Sequence, residues 1–188
     1  MGTDDDARTV LDLVNGRPPR LGRRTRLLCI DGPAGSGKST LAAAVASASP
    51  VATHVLPLDL LLDGWSGLDD VVETLVDEVL RPMSRGRRAT HRRYDWHEGR
   101  FVDRVEVPNC ALLVVEGVGA GSRGTQPYRS ASVWLDAPED VRRDRALSRE
   151  GDGDAFAPHW AAWAAREARL FAREGTRTTA DLVLTTVR

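Results

Sequence analysis

The sequence predicts an α/β domain built on a mostly parallel sheet. Short apolar runs alternate with helical patterns along the chain, which is typical of this fold class. The run 111–115 is apolar throughout, as expected of a central parallel strand buried on both faces. A glycine-rich turn joins the first of these runs to the first long helical pattern, and it predicts a phosphate-binding loop at the centre of the fold. The 188 residues suffice for one domain, 1–188.

The first half of the chain divides at clear breakers. Residues 4–14 carry acids in the first turn and apolar residues on one side, so they predict a helix. A basic connector, 20–26, completes an N-terminal segment 1–26, and we favour a solvated loop over a binding patch there. The next predicted elements are a strand at 27–31, a helix at 38–48, a strand at 53–58 and an amphipathic helix at 68–80 closed by Pro82.

The second half continues the alternation after an insertion at 84–108. Within the insertion, 89–96 and 100–107 predict a hairpin that turns at Glu98-Gly99. The later predicted elements are strands at 111–115, 132–135 and 180–186 and helices at 139–150 and 155–174. We interpret Trp160 and Trp163 in the last helix as core packing rather than as a platform for a base.

The phosphate loop is the most specific motif. Residues 32–39 match the pattern G-x-x-x-x-G-K-[ST] between a strand and a helix. The glycines let backbone N–H groups point at an anion, and the helix adds the positive end of its dipole. The predicted ATP-binding residues are Gly32, Pro33, Ala34, Gly35, Ser36, Gly37, Lys38, Ser39 and Thr40.

Two residues of this loop have predicted chemical roles. Lys38 is the only lysine in the chain, and its compact charge is expected to reach the β- and γ-phosphates and to act in catalysis. The Ser39 hydroxyl is expected to hold Mg²⁺.

Three acids fall at predicted strand ends, where open parallel sheets bind ligands. We interpret Asp31 as an acceptor that stabilises the loop rather than as a catalyst. Asp59 and Glu116 are candidates for the metal and substrate sites. One of them would hold Mg²⁺ and the other would accept a proton from an attacking hydroxyl. A helix cap or a surface charge is the alternative for each.

Arginines are concentrated in the segment 138–153, which we predict to be a lid. Arg142, Arg145 and Arg149 share one face of the predicted helix, and glycines follow it. Such a lid would close over the phosphates and stabilise the transferring charge. A solvated basic face is the alternative.

The insertion carries the cluster Arg-Arg-Tyr-Asp-Trp at 92–96. Arg93 could take an anion, Tyr94 and Trp96 could stack on a ring, and Asp95 could accept from sugar hydroxyls. An ordinary hairpin would look the same, and the residues alone leave both interpretations open.

The composition narrows the functional classes. The net charge of −1 gives no global basic field, so we expect no nucleic-acid partner. No apolar run has the length of a membrane span, and the acidic beginning of the chain does not resemble a signal peptide. We therefore expect a cytoplasmic protein without a membrane partner, as a monomer or homodimer. Cys29 and Cys110 lie in apolar runs and are interpreted as buried apolar residues.

With these residues placed, the chain resembles the uridine kinase-like branch of the P-loop small-molecule kinases. The resemblance rests on the phosphate loop, Asp59 with the following Asp-Gly-Trp-Ser-Gly-Leu, the cluster at 92–96, the Val-Val-Glu-Gly strand end and the arginine lid. It implies a P-loop NTPase sandwich of three layers, with helices on both faces of a five-stranded parallel sheet of order 2-3-1-4-5. It also implies ATP and Mg²⁺ as cofactors and phosphoryl transfer to a hydroxyl of a small molecule.

The resemblance assigns roles to the acceptor side as well. Asp59 matches the general base, Glu116 the acid after the third strand, and Tyr94 with Asp95 a segment that touches the nucleoside. Leucines stand after Asp59 where the family often has an aromatic residue.

We therefore expect an ATP-dependent kinase with a nucleoside-like acceptor. A nucleoside monophosphate as acceptor and a regulatory module that binds ATP without transferring phosphate are the alternatives. A GTPase switch is disfavoured, because its guanine-reading motif N-K-x-D would need a second lysine.

Overall fold

A five-stranded parallel sheet forms the centre of the protein, in the order β2-β5-β1-β6-β7. The structure is a computed structural model and describes residues 2–148 and 153–186. The strands of the sheet are β1 (Arg26–Asp31), β2 (Thr53–Pro57), β5 (Leu112–Glu116), β6 (Ala131–Asp136) and β7 (Leu182–Thr185). Numbered among themselves along the chain, these strands have the order 2-3-1-4-5, so the predicted topology is confirmed.

Helices cover both faces of this sheet. The helices are α1 (Thr3–Asn15), α2 (Lys38–Ala48), α3 (Val71–Leu75), α4 (Arg81–Ser84), α5 (Glu139–Leu147), α6 (Gly153–Phe156) and α7 (Trp160–Glu174). A π-helical segment, Val76–Leu80, joins α3 to α4. Short 3₁₀ turns lie at Leu58–Leu60, Gly64–Asp69, Arg123–Thr125 and Ala157–His159.

Alternation along β1 sorts the core into two layers. Leu28 and Ile30 pack with α1 and α2 on one face, whereas Leu27 and Cys29 pack with α3, the π-helical segment and α7 on the other. Successive side chains of a strand point to opposite faces, so an uninterrupted apolar run requires cover on both sides. The predicted α/β/α sandwich is therefore confirmed. Burial raises the pKa of Cys29 to about 12, and Cys110 is half-buried.

Prolines account for two differences from the prediction. The helix predicted to close at Pro82 continues to Ser84, so that prediction is wrong. Proline cannot donate a backbone hydrogen bond, but it is tolerated in the first turn of a helix. Pro82 lies in the first turn of α4, directly after the π-helical segment whose last bond runs from the N–H of Arg81 to the oxygen of Val76. The helix predicted at 155–174 is interrupted by the 3₁₀ turn that contains Pro158.

The insertion folds as an antiparallel hairpin of β3 (Thr90–Asp95) and β4 (Arg100–Glu106), separate from the main sheet. In the described part of the chain, every helix is too short or too polar to cross a bilayer.

Candidate active site

The loop between β1 and α2 has the backbone of a phosphate-binding nest. Gly35 and Gly37 have φ angles of 78° and 98°, and α2 begins directly afterwards at Lys38. Glycine adopts this left-handed region without the strain that a side chain would add. Successive N–H groups in such a turn converge on one point and bind anions together with the helix N-terminus. The backbone thus suits the predicted phosphate site.

The side chain of Lys38, the first residue of α2, folds back onto the phosphate loop. This side chain is buried, and its Nζ donates a hydrogen bond to the carbonyl oxygen of Pro33 at 2.9 Å. A short reorientation about its flexible stem would bring its charge to an anion in the nest.

Asp31 fastens the beginning of the loop to a second loop after β5. Its buried carboxylate accepts N–H groups from Gly32 at 2.7 Å and from Gly119 and Gly121 at 2.9 Å. Burial is the largest influence and raises the pKa of Asp31 to about 6, although these donors and Lys38 favour the charged form. These bonds match the loop-stabilising acceptor that the sequence predicts.

Ser39, in the first turn of α2, is brought together with Glu116 at the end of β5. Glu116 is the last residue of β5, paired in register with Ile30, and the Ser39 hydroxyl donates to its Oε1 at 2.9 Å. A hydroxyl and a carboxylate are hard oxygen ligands, and Mg²⁺ is commonly held by one or two carboxylates together with substrate phosphates. This pair therefore fits the predicted metal.

A cavity of about 370 Å³ opens from the phosphate loop toward the ends of β2 and β5. Lys38, Ser39, Glu116 and Asp59 all line it. Asp59 follows β2 in the turn Leu58–Leu60 and is exposed. The structure thus brings the phosphate-loop residues Lys38 and Ser39 and the strand-end acids Asp59 and Glu116 around one space, at the edge of the sheet where open parallel sheets bind ligands.

The far wall of this cavity is apolar and aromatic. It consists of Leu60, Leu62, Trp65, Trp96, Phe156 and Trp163. Trp65 stacks on Phe156, with ring centroids 5.1 Å apart and planes inclined by 7°, and it meets Trp96 at 4.7 Å and 60°. Trp163 belongs to the core, as predicted, but it also faces this cavity. We name this surface the aromatic wall.

Trp96 connects the hairpin to the candidate base. Its Nε1–H donates to the backbone oxygen of Asp59 at 3.1 Å. Tyr94 is buried and meets Trp96 and Phe101 edge-on, at 5.2 and 5.3 Å between ring centroids. Of the cluster at 92–96, only Trp96 lines the cavity.

The polar members of the cluster serve the hairpin itself. Arg93 forms two hydrogen bonds of 2.9 Å with Asp103 on β4. Asp95 accepts the N–H groups of His97 and Glu98 in the turn, and these bonds hold the pKa of Asp95 below its ordinary value. Arg93, Tyr94 and Asp95 are therefore not brought to the cavity as the predicted substrate contacts would be.

Two cytidylate kinases are similar to this chain over part of its length. The identity is 34% over 128 residues for the protein of Haloarcula marismortui and 32% over 127 residues for that of Natronomonas pharaonis. Each alignment covers 66% of this chain, and the chain spans 58% of the length of these relatives. No family model matches the chain.

Two solved structures match nearly the whole length of the chain. A protein described as a possible uridine kinase from Bacillus stearothermophilus superimposes with a TM-score of 0.64 at 19% identity, over 97% of this chain and 96% of its own. The D-glycerate 3-kinase of Cryptococcus neoformans var. grubii gives 0.62 at 13% identity, over 98% and 94%. The chain has the fold of the P-loop kinases. The resemblance inferred from the sequence is therefore confirmed for the fold.

The described arginines of the predicted lid, Arg142 and Arg145, lie against the outer side of the phosphate loop. Arg142 Nη1 donates to the oxygen of Ala34 at 3.2 Å. Arg145 Nη1 bonds Thr186 Oγ1 at 2.9 Å and lies 3.4 Å from the oxygen of Gly35. Neither side chain lines the cavity. The predicted lid residue Arg149 and the glycine expected to act as a hinge, Gly151, lie outside the described residues.

Glu167 is a further residue of the loop's surroundings, and sequence reasoning missed it. It lies on α7 and is buried, and its Oε2 accepts the N–H of Ala34 at 2.9 Å. Burial raises the pKa of this carboxyl, while the Ala34 N–H and the charges of Lys38 and Arg142 oppose the rise. The available signal was an acid on the otherwise apolar stripe of α7, between Trp163 and Leu170.

Proposed function

We propose that the chain is an ATP-dependent kinase that transfers the γ-phosphoryl group to a hydroxyl of a small, unphosphorylated molecule, with a nucleoside-like acceptor favoured. The observation that carries this proposal is the single cavity shared by the phosphate loop, Asp59 and the aromatic wall. A phosphoryl donor at the loop and a ring-bearing acceptor at the wall would meet beside a carboxylate. The similarity to kinases supports the same reaction class.

Each residue would then have a distinct role. The loop N–H groups and Lys38 bind and orient the phosphates, which is the larger part of catalysis in phosphoryl transfer. Ser39 and Glu116 would hold Mg²⁺, which neutralises phosphate charge when bound. The Asp59 carboxylate accepts the proton of the acceptor hydroxyl, a contribution of roughly a hundredfold to ten-thousandfold.

The lining of the cavity favours an unphosphorylated acceptor. Recognition of a phosphate or carboxylate usually employs bidentate arginine. Among the described residues, no arginine side chain lines the cavity, and Arg93 is engaged by Asp103. Flat apolar rings such as Trp65 and Trp96 instead suit a ring-bearing, uncharged molecule.

A nucleoside monophosphate is the second candidate acceptor, because the similar proteins are cytidylate kinases. The cavity lining argues against it, and the two candidates separate experimentally. A monophosphate would need an arginine to reach the cavity, so its turnover would depend on such a residue.

The decisive experiment measures ADP release from Mg²⁺-ATP across a panel of acceptors. The panel contains nucleosides, nucleoside monophosphates, pantothenate and simple sugars, and Lys38→Ala is the blank. We expect a Lys38-dependent signal with an unphosphorylated acceptor. Asp59→Asn should abolish turnover while calorimetry still detects ATP binding.

Other outcomes of the panel are equally informative. Turnover of monophosphates alone would replace our acceptor with the second candidate, and unchanged turnover in Asp59→Asn would remove Asp59 as the base. ATP binding without turnover of any acceptor would favour the regulatory module that the leucines after Asp59 suggest.

A further inference from the structure

The peptide unit of Ala34 is held at both ends by side chains from outside the phosphate loop. Glu167 on α7 accepts its N–H at 2.9 Å, and Arg142 on α5 donates to its carbonyl oxygen at 3.2 Å. The two side chains also approach each other, with Arg142 Nη1 lying 3.4 Å from Glu167 Oε1. The three groups form a closed triangle, which we call the Ala34 clamp.

The clamp is largely shielded from water. The side chain of Glu167 is 4% exposed and that of Arg142 is 13% exposed. A buried charge is costly unless it is paired and hydrogen-bonded. Arg142 also donates its Nε–H to the carbonyl oxygen of Ala137, so both charged groups have several partners.

The neighbouring residues of the loop are held from the same side. A Cβ placed on Gly35 would clash with the carbonyl oxygen of Arg142, so α5 rests directly on the loop backbone. Thr186, after β7, donates to the oxygen of Ser36 at 2.9 Å. Of these outer contacts, the Glu167 bond is the one that occupies a loop N–H, the group that a phosphate nest uses.

We propose that Glu167 is a positioning residue of the phosphate loop: by accepting the Ala34 N–H and pairing with Arg142, it fixes the orientation of the Ala34 peptide and seats α5 on the loop. The inference rests on the proposed function in one respect, that the loop binds the phosphates of a nucleotide. Glu167 acts through the backbone and through Arg142, and it needs no contact with the nucleotide.

The hydrogen bond and the charge of Glu167 have opposite consequences for phosphate binding. The hydrogen bond orders the loop in advance and so favours binding. The negative charge lies near enough to Lys38 for that lysine to influence the pKa of Glu167, and it opposes an anion in the same field. Substitutions that separate the two effects therefore test the proposal.

The test uses Glu167→Gln and Glu167→Ala, with Glu174→Ala as the matched control. Glutamine keeps an oxygen for the Ala34 N–H but removes the charge, whereas alanine removes both. Glu174 is also on α7 and accepts a backbone N–H, that of Arg123 at 3.1 Å, away from the phosphate loop.

Two measurements are made on each protein. Hydrogen–deuterium exchange of the Ala34 amide, referred to the amide of Val114 in the central strand β5, reports the loop independently of global stability. Calorimetry with ATP reports nucleotide affinity. We expect Glu167→Ala to accelerate Ala34 exchange and to weaken ATP binding, each about tenfold, as loss of one buried hydrogen bond implies. Glu167→Gln should be impaired less than Glu167→Ala in both measurements, because it keeps an acceptor for the Ala34 N–H and loses only the ion pair with Arg142.

The proposal is overturned if Glu167→Ala leaves Ala34 exchange unchanged, if Glu167→Gln is as impaired as Glu167→Ala, or if Glu174→Ala has the same effect. A wild-type protein that binds no ATP would refute the proposed function instead. The exchange measurement would still decide the role of Glu167 in that case.

Discussion

Replacing Asp31 with asparagine should make the stability of the protein less dependent on pH. The folded carboxyl has a pKa of about 6, against an ordinary value of 3.8, because burial outweighs the three N–H groups that it accepts. The folded protein therefore holds the proton more tightly than the unfolded chain. The stabilising contribution of Asp31 is fully present below about pH 4 and is lost as the pH rises through about 6.

The size of this effect follows from the difference between the two pKa values. A shift of one pKa unit corresponds to about 1.4 kcal/mol, so the wild-type protein should lose about 3 kcal/mol through Asp31 between these pH values. Asparagine has nearly the same shape and does not titrate in this range. The difference in free energy of unfolding, wild type minus Asp31→Asn, should therefore fall by about that amount.

Urea unfolding of both proteins between pH 4 and 7.5 measures this difference, because common ionisable groups cancel between wild type and variant. A difference that increases with pH would refute the reasoning. It would mean that the N–H groups of Gly32, Gly119 and Gly121 outweigh burial and hold the carboxyl charged in the folded protein.

Three further substitutions test the site. Gly35→Ala should weaken ATP binding more than tenfold and lower the melting temperature. Its new Cβ would meet the backbone of α5, and its φ of 78° is unfavourable for alanine. Gly86→Ala is the control, because Gly86 has a similar φ of 68° but open space around it, so this variant measures the cost of the backbone conformation alone. Trp96→Phe loses the bond to Asp59 and should lower kcat about fivefold with ATP affinity unchanged; an unaltered kcat would contradict that link. Arg93→Ala should leave turnover within about twofold, and a large rise in the KM for the acceptor would restore its predicted substrate role.

Local pattern was sufficient for most of the fold. Strands β1 and β5 are built on uninterrupted apolar runs. Helix α2 begins and ends as its glycine and proline neighbours predict. The error in the helix end at Pro82 has a local cause that the hydrophobic periodicity of the sequence does not reveal. At Pro82, a π-helical segment lets the helix continue past a residue that ordinarily ends it.

The candidate site was predictable where strand ends determine it. Asp31, Asp59 and Glu116 each follow an apolar run, and parallel strands bring such positions to one edge. Glu167 and Phe156 reach the site through contacts between distant segments. The bond from Glu167 to Ala34 spans 133 residues, and no motif or spacing encodes it. The arginines at 92–93 misled the prediction because their composition suggests an anion, whereas the fold supplies partners within the hairpin and on Glu78.

Three rings of the aromatic wall come from segments outside the main sheet and its long helices, whereas Trp163 belongs to α7. Trp65 comes from a 3₁₀ turn, Trp96 from the hairpin tip and Phe156 from the short helix before α7. The groups proposed to handle phosphate, by contrast, belong to strand ends and to the loop itself. In the proposed kinase, the groups that would select the acceptor are therefore largely separate in the chain from the groups that would bind phosphate. A hairpin transplanted from another protein of this fold, with its tryptophan at the tip, would be the natural unit for redesigning what the cavity accepts.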